Sequence, residues 1–317
     1  MFQPVTTLTD FILEEEKKYP RATGSLTILL TEIENAAKII ASHVRESGLT
    51  DILGKTGKKN SFQEEVQKLD EYSNTLLIET LTKSGQVHAV ASEELAEPIY
   101  APQDYAGKYV VFFDPLDGSS NIDNNCPIGT IFSVYEKSET MLQKGEKQIV
   151  AGYIMYGSST IFVYTTGHGV NGFTLDPAVG SFLLSHPDIK IPEKGDIYAI
   201  NEGYASLFDE NVINYLEHVK KDGKYKARFV GAMVADVHRT LLKGGIFIYP
   251  KDKKHPDGKL RLMYEVNPMS LLVEQAGGIA ISGDINPLTI IPTSVHQTVP
   301  IALGSKENVQ EYLSFEK

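Results

Sequence analysis

The run Val110-Val111-Phe112-Phe113-Asp114-Pro115-Leu116-Asp117-Gly118-Ser119-Ser120-Asn121 constrains the fold of this chain more than any other stretch. Four consecutive apolar residues read as a buried strand, and they lead straight into two aspartates. Pro115 keeps Asp114 extended and stops a helix from starting there. The strand is therefore predicted to end abruptly, with Asp114 and Asp117 at its mouth and facing one point. Gly118, Ser119, Ser120 and Asn121 then form a turn that exposes backbone N–H groups, a nest or helix start suited to an anion. One short segment thus offers carboxylates for a hard cation beside donors for a phosphate. An Asp-x-x-Asp by itself equally suits an acidic turn with a helix cap, so its meaning depends on the other acids.

Three other places supply them. The β-like run 87–92 also ends in carboxylates, Glu93 and Glu94; alone, these would be a solvated surface pair. Asp70 interrupts an otherwise mostly apolar helical stripe of Val66, Ser73, Leu77 and Leu81. Periodicity leaves it open between a helix-edge charge and a group pointing into a polar site. Glu265 follows a predicted strand at 260–264 and precedes the helix start Asn267-Pro268. Glu93, Asp114, Asp117 and Glu265 are then four carboxylates at predicted strand ends. Oxygen-only ligands suit Mg²⁺ or Mn²⁺, and two or more such ions can clamp a phosphoryl group and activate a water.

Composition narrows the function classes. The net charge of −11 argues against a nucleic-acid partner. No apolar run approaches the ~20 residues of a membrane helix, and residues 1–9 lack the pattern of a secretory signal. The single cysteine, Cys126, excludes an intrachain disulfide, and a cytoplasmic location is expected. The histidines show no metal-ligand spacing, so zinc chemistry has no support.

With 317 residues the chain has room for two domains. Helices are predicted at 8–18, 25–46 and 63–81, with a polar Gly- and Lys-rich segment between the second and third. Short β-like runs follow at 87–92, 108–113, 129–135, 150–156, 161–165 and 172–175, read as a largely antiparallel sheet. Residues 185–195 form a plausible boundary. Beyond it, strands at 197–200, 246–249 and 260–264 alternate with helices at 211–220, 231–243 and from Asn267 to Gly277-Gly278, as in a layered α/β unit. The expected domains are 1–190, carrying most metal ligands, and 191–317, carrying the sugar and distal-phosphate contacts.

Asp114 to Ser120 resembles the signature of the lithium-sensitive metal-dependent phosphatases, and its extension through Asn121, Ile122 and Asp123 resembles class I fructose-1,6-bisphosphatase. The likeness covers nearly the whole chain, including residues 22–24, 67–70, 92–94, 151–153, 201–204, 233–239, 244–247 and 258–262. It implies a layered α/β/α/β/α sugar-phosphatase fold and hydrolysis of the 1-phosphate of fructose 1,6-bisphosphate by metal-activated water, with no phosphoenzyme, in gluconeogenesis. It also implies a homotetramer. By position, Glu93, Asp114, Asp117, Glu265 and the Leu116 carbonyl match metal ligands, and Asp70 and Glu94 match the pair that activates water. Glu64 falls on the family's dynamic loop. Gly118, Ser119 and Ser120 match the phosphate cradle. Asn201, Tyr204, Tyr249 and Lys259 match contacts to the sugar and second phosphate, and Arg228 matches an arginine reaching a neighbouring subunit's site.

Two departures stand out. Phe229 replaces a tyrosine that, in many relatives, donates to the distal phosphate. Thr23, Gly24, Thr27, Lys108 and Tyr109 resemble an AMP site, but Glu136 stands where those relatives place an arginine and Ser25 replaces a glutamate. Weak or absent AMP inhibition is therefore expected. The alternatives are a sedoheptulose-1,7-bisphosphatase, an inositol monophosphatase and a non-catalytic sugar-phosphate sensor. Asn201, Tyr204 and Lys259 suit a second phosphate, which counts against the inositol enzyme. The sensor would be expected to have lost carboxylates, and all are present.

Overall fold

The computed structural model describes residues 5–18, 22–46, 49, 54–59 and 65–315. Helices α1 (Leu8–Glu16), α2 (Ser25–Arg45) and α3 (Lys68–Lys83) open the chain. Thr7 and Asp10 form a reciprocal capping box on α1, with the Asp10 N–H donated to the Thr7 hydroxyl at 3.1 Å. Between α2 and α3, β1 (Lys55–Lys59) pairs antiparallel with β2 (Glu65–Gln67). The third helix consequently starts at Lys68 rather than at Gln63. The chain arrives extended because Gln67 pairs with Lys55, and the Lys68 N–H is donated to the Gly54 carbonyl at 3.0 Å.

The main sheet comprises β3 (Val87–Ser92), β4 (Ile99–Tyr100), β5 (Tyr109–Asp117), β6 (Ile128–Glu136), β7 (Gln148–Tyr156), β8 (Thr160–Thr165), β9 (Asn171–Asp176) and β10 (Ser181–His186). Its order is β10-β9-β8-β7-β6-β5-β3-β4, antiparallel except for the parallel β3–β5 pair. The last of these strands takes in residues 185–186, so the sheet runs on into the stretch read as a boundary.

A second sheet has the order β12-β11-β13-β17-β15, built from β11 (Ile197–Ala199), β12 (Lys226–Ala227), β13 (Ile246–Tyr249), β15 (Ile279–Ile281) and β17 (Ile301–Gly304). Helices α4 (Glu210–Asp222), α5 (Met233–Lys243), α6 (Asn267–Gln275) and α7 (Lys306–Leu313) accompany it, and β14 (Leu260–Arg261) pairs with β16 (Thr298–Val299).

Strand alternation generates the layers. Phe162 and Tyr164 of β8 enter the core beneath α1–α3, whereas Ile161 and Val163 face the opposite way, toward α5 and α6. In β13, Phe247 joins that middle core, while Ile246 and Ile248 pack outward against α4 and α7. Both sheets therefore bury two faces, and the middle helices are shared. The result is the five-layer α/β/α/β/α arrangement.

Two local expectations are corrected. Residues 260–264 are not one strand: after Leu260–Arg261 the chain winds into a π-helical turn, Leu262–Val266. Asn267 does not cap α6. It is fully buried, and its amide donates to the Tyr135 hydroxyl at 3.3 Å; Val266 occupies the cap position.

Phe162 is fully buried, with its ring 5.6 Å from Phe132 and 5.7 Å from Phe182. Phe162→Ala is expected to cost about 3–5 kcal/mol of stability. Denaturant unfolding measures this, and a loss below about 1 kcal/mol would show that the helix-facing core is not close-packed.

Candidate functional site

The acidic strand does not stop at Asp114. Asp114 lies opposite Ile131 and Asp117 opposite Gly129, so three steps along β5 match two along β6. The extra residue is a β-bulge at Pro115-Leu116. In a regular strand, side chains three apart point to opposite faces; the bulge returns Asp117 to the side of Asp114. Proline suits this position because a bulge leaves a ladder donor unneeded. The Pro115 carbonyl accepts from the Thr130 hydroxyl at 2.8 Å, and the Leu116 N–H is donated to Asp114 Oδ1 at 3.0 Å.

Neighbouring elements bring the other acids. The Glu93 N–H is donated to the Phe113 carbonyl at 3.1 Å, which sets Glu93 beside Asp114 at the end of the parallel pair. The π-helical turn delivers Glu265. Asp114, Asp117 and Glu265 each place a carboxylate oxygen within 4.8 Å of the others, and all three are buried. Asp70, on the first turn of α3, is also buried and raises the pKa of Asp114 by its charge. Its stripe position is therefore resolved in favour of the polar site.

Burial first, and then the charges of Glu93, Asp117, Glu265 and Asp70, push the Asp114 carboxyl well above its ordinary value. Burial raises Asp117 to about 7 despite N–H groups donated by Val234 and Met233. Burial raises Glu265 to about 8, with Arg261 opposing and Glu93 adding to the rise. Such a cluster is short of positive charge even with Arg261 beside it. Three convergent oxygen donors with that deficit fit a hard divalent cation.

Around the carboxylates opens a cleft of about 500 Å³. Its lining includes Asp70, Glu93, Glu94, Asp114, Leu116, Asp117, Gly118, Ser119, Ser120, Asn201, Tyr204, Tyr249, Lys259 and Glu265. Gly118 has φ 79°, and a Cβ there would lie 2.4 Å from the Ala232 Cβ, so only glycine lets the turn rest on the start of α5. Asn201 accepts the Gly203 N–H on Oδ1 at 3.1 Å, leaving its NH₂ as a donor. Tyr249 and Lys259 are electrostatic neighbours: burial raises the tyrosine's pKa and the lysine lowers it. Gly258, φ 82°, would place a Cβ 2.2 Å from the Pro300 nitrogen, so the chain before Lys259 can hug β16 only as glycine.

Arg228 is not brought into this cleft. It is exposed, and its guanidinium donates to its own neighbour's carbonyl, Ala227 O, at 2.8 Å. Glu64 lies outside the described residues. The AMP-like residues Thr23, Gly24, Thr27, Lys108 and Tyr109 do line one cavity of about 280 Å³. There the Glu16 carboxylate accepts from the Gly24 N–H at 2.6 Å and the Thr27 hydroxyl at 2.5 Å.

Two contributors escaped the sequence reading. Arg261 is buried between acids, its guanidinium 2.6 Å from Glu93 and its N–H donated to Glu265 Oε2 at 2.6 Å. An arginine flanked by Leu260 and Leu262 was the available signal, since a charge among apolar residues calls for a partner. The second is the start of α5, whose Val234 N–H holds Asp117 Oδ2 at 2.7 Å. A helix N-terminus more than a hundred residues away has no signature beside the aspartates.

A site of this kind belongs with the phosphatases that work through bound cations. Residues 6–187 match the model of the fructose-1-6-bisphosphatase N-terminal domain, and residues 191–317 match that of its C-terminal domain. A class 1 fructose-1,6-bisphosphatase of Persephonella marina is 56% identical over 313 residues, covering 97% of each chain. A cytosolic fructose-1,6-bisphosphatase of Oryza sativa subsp. japonica is 50% identical over 316 residues, 96% of this chain and 93% of the other. The holo form of the Leishmania major fructose-1,6-bisphosphatase superposes with a TM-score of 0.95 at 40% identity, covering 99% of this chain and 100% of that one. The chain belongs to the class I fructose-1,6-bisphosphatase family.

The raised carboxyls make cation removal visible in stability. Their ordinary values are 3.8 for Asp and 4.5 for Glu. Between those values and about 7 to 8 the native state holds protons that the unfolded chain has released, so stability falls as pH rises through that window. Chelator-treated protein is expected to melt lower at about pH 8.5 than at about pH 6, with added Mg²⁺ restoring more at the higher pH. Thermal scans check this; a melting point that rises with pH would contradict it.

Proposed function

We propose that the cleft hydrolyses the 1-phosphate of fructose 1,6-bisphosphate, giving fructose 6-phosphate and inorganic phosphate. The carrying observation is convergence: Asp114, Asp117 and Glu265 bring carboxylate oxygens within 4.8 Å of one another in a cleft that also holds the Gly118–Ser120 turn and Lys259. The family supports a gluconeogenic phosphatase.

Glu93, Asp114, Asp117, Glu265 and the Leu116 carbonyl would hold the cations, for which Mg²⁺ or Mn²⁺ is the reading that an all-oxygen set supports. Bound there, divalent ions supply the positive charge that the transferred phosphoryl group and the attacking water require. The chain's own groups do the rest. Between them, Asp70 and Glu94 take one proton from the attacking water as it adds to phosphorus; the bond to the sugar oxygen breaks, and that oxygen takes up a proton from solvent to leave as the C1 hydroxyl of fructose 6-phosphate. N–H and hydroxyl groups of Gly118, Ser119 and Ser120 cradle the departing phosphate. Asn201, Tyr204, Tyr249 and Lys259 hold the sugar and the 6-phosphate by charge-assisted and neutral hydrogen bonds, and Arg228 serves the same end of a neighbouring copy's cleft. Direct attack by water requires no nucleophilic side chain. A homotetramer in the cytoplasm completes this reading; some of the relatives are named as cytosolic, and among the described residues no helix is long and apolar enough to cross a membrane.

Phosphate release from fructose 1,6-bisphosphate is expected with Mg²⁺ and to vanish with a chelator. Asp70→Asn is expected to lower kcat by roughly 10²–10⁴, the usual worth of a general base. Release unaffected by chelation, or a phosphorylated side chain trapped during turnover, would refute the mechanism.

Phe229 lines the cleft and is 39% exposed. Phe229→Tyr adds a hydroxyl donor at that wall, and the KM for the bisphosphate is expected to fall. Steady-state kinetics decide; an unchanged KM would mean that the hydroxyl does not reach the distal phosphate.

A further inference from the structure

Residues 228–231, between β12 and α5, have their main chain held from several sides. The Arg228 N–H is donated to the Tyr198 carbonyl at 2.9 Å, and its own carbonyl accepts from Arg239 Nη2 at 3.0 Å. The Asp236 carboxylate accepts the Val230 N–H at 3.0 Å and the Gly231 N–H at 3.3 Å. The Val230 carbonyl accepts from the Asn121 amide at 3.2 Å, and that amide also donates to the Pro127 carbonyl at 3.2 Å. The charge of Asp236 is met by Arg239 at 2.8 Å, and Asp236 is fully buried. Neither Asp236 nor Arg239 lines the cleft.

A buried ion pair is weak evidence of a stabilising role. A buried ion pair is commonly replaceable by apolar residues of similar volume at no cost. What the pair does uniquely is grip the polar groups of one short segment that leads in three directions. Arg228 projects to the surface, Phe229 and Gly231 form part of the cleft wall, and the α5 start beyond them holds Asp117. Arg239 is the member that touches the arginine's own peptide.

We propose that Asp236 and Arg239 are positioning residues that lock 228–231, so that Arg228 meets the distal-phosphate end of a neighbouring copy's cleft in one reproducible geometry. This rests on the reading of Arg228 given above and names the residues that make its reach effective. Without them the segment samples several paths, and the arginine pays an ordering cost each time substrate binds.

A double-mutant cycle tests it, using Arg228→Ala, Arg239→Met and the double variant on fructose 1,6-bisphosphate and on fructose 1-phosphate, which lacks the distal phosphate. Each single change is expected to raise the KM for the bisphosphate about tenfold with kcat within about threefold, the size of one lost charge-assisted contact. The double variant is expected to be no worse than Arg228→Ala, because the direct contact of Arg239 with this segment is to the Arg228 carbonyl. The KM for fructose 1-phosphate should stay within about twofold. If Arg228→Ala raises KM and Arg239→Met does not, or if the two effects multiply, the positioning role is overturned while the role of Arg228 stands. If Arg228→Ala changes nothing, the underlying reading fails and this proposal with it. Should Arg239→Met not fold, Arg239→Lys keeps the charge facing Asp236 but not the planar fork. It is expected to show the same KM-only defect, and an unchanged KM would count against the proposal.

Discussion

Mutual repulsion among buried carboxylates is the constraint on which this molecule depends. Asp70, Glu93, Asp114, Asp117 and Glu265 are each less than a tenth exposed. Like charges so placed in low dielectric are unfavourable unless they take up protons or find positive charge. Arg261 supplies some, and N–H groups at the start of α5 supply a little more. The remaining deficit is what a bound cation would relieve, so the arrangement that costs stability is the one that suits a metal ion.

The fold sustains that strain by drawing the acids from rigid elements. Asp114 and Asp117 sit on a central strand with neighbours on both sides, and Glu93 ends the parallel strand next to it. Glu265 rides a buried π-helical turn, and Asp70 a helix packed on the sheet. None can retreat toward water without breaking a ladder or opening a core. The bulge at Pro115-Leu116 is an irregularity that the geometry requires, because a straight strand would send its two aspartates to opposite faces.

The start of α5 ties the two sheets' chemistry together. Its Val234 N–H holds a carboxylate of the first sheet, Ala232 backs the turn at Gly118, and the segment just before it belongs to the cleft wall. Other lining residues, proposed above for the sugar end, arrive from the second sheet and its connections: Asn201 beyond β11, Tyr249 on β13 and Lys259 before β14. The cleft therefore lies where the two halves of the chain meet across the shared helical layer, and the second half also sends Glu265 and Arg261 to the acids of the first.

Much of this was legible in the residues alone. Short β-like runs located most of the main sheet, helical spacing located α2, and the Asp114–Ser120 run offered carboxylates for a cation beside donors for a phosphate. Those signals are local, and local chemistry survives in a linear reading. The bulge, the π-helical turn at Leu262–Val266 and the strand preceding α3 were misread, because each exists only through a partner elsewhere. Gly129 sets the register of Asp117, and Lys55 keeps Gln67 extended. Periodicity could not choose between solvent and site for Asp70, nor reveal that Arg261 pairs with Glu93, far from it in the chain. The sequence by itself determined which chemical groups this protein possesses and which of them stand at element ends. Only the tertiary structure decided which of those groups share a cavity, because burial and charge proximity arise between segments that are distant along the chain.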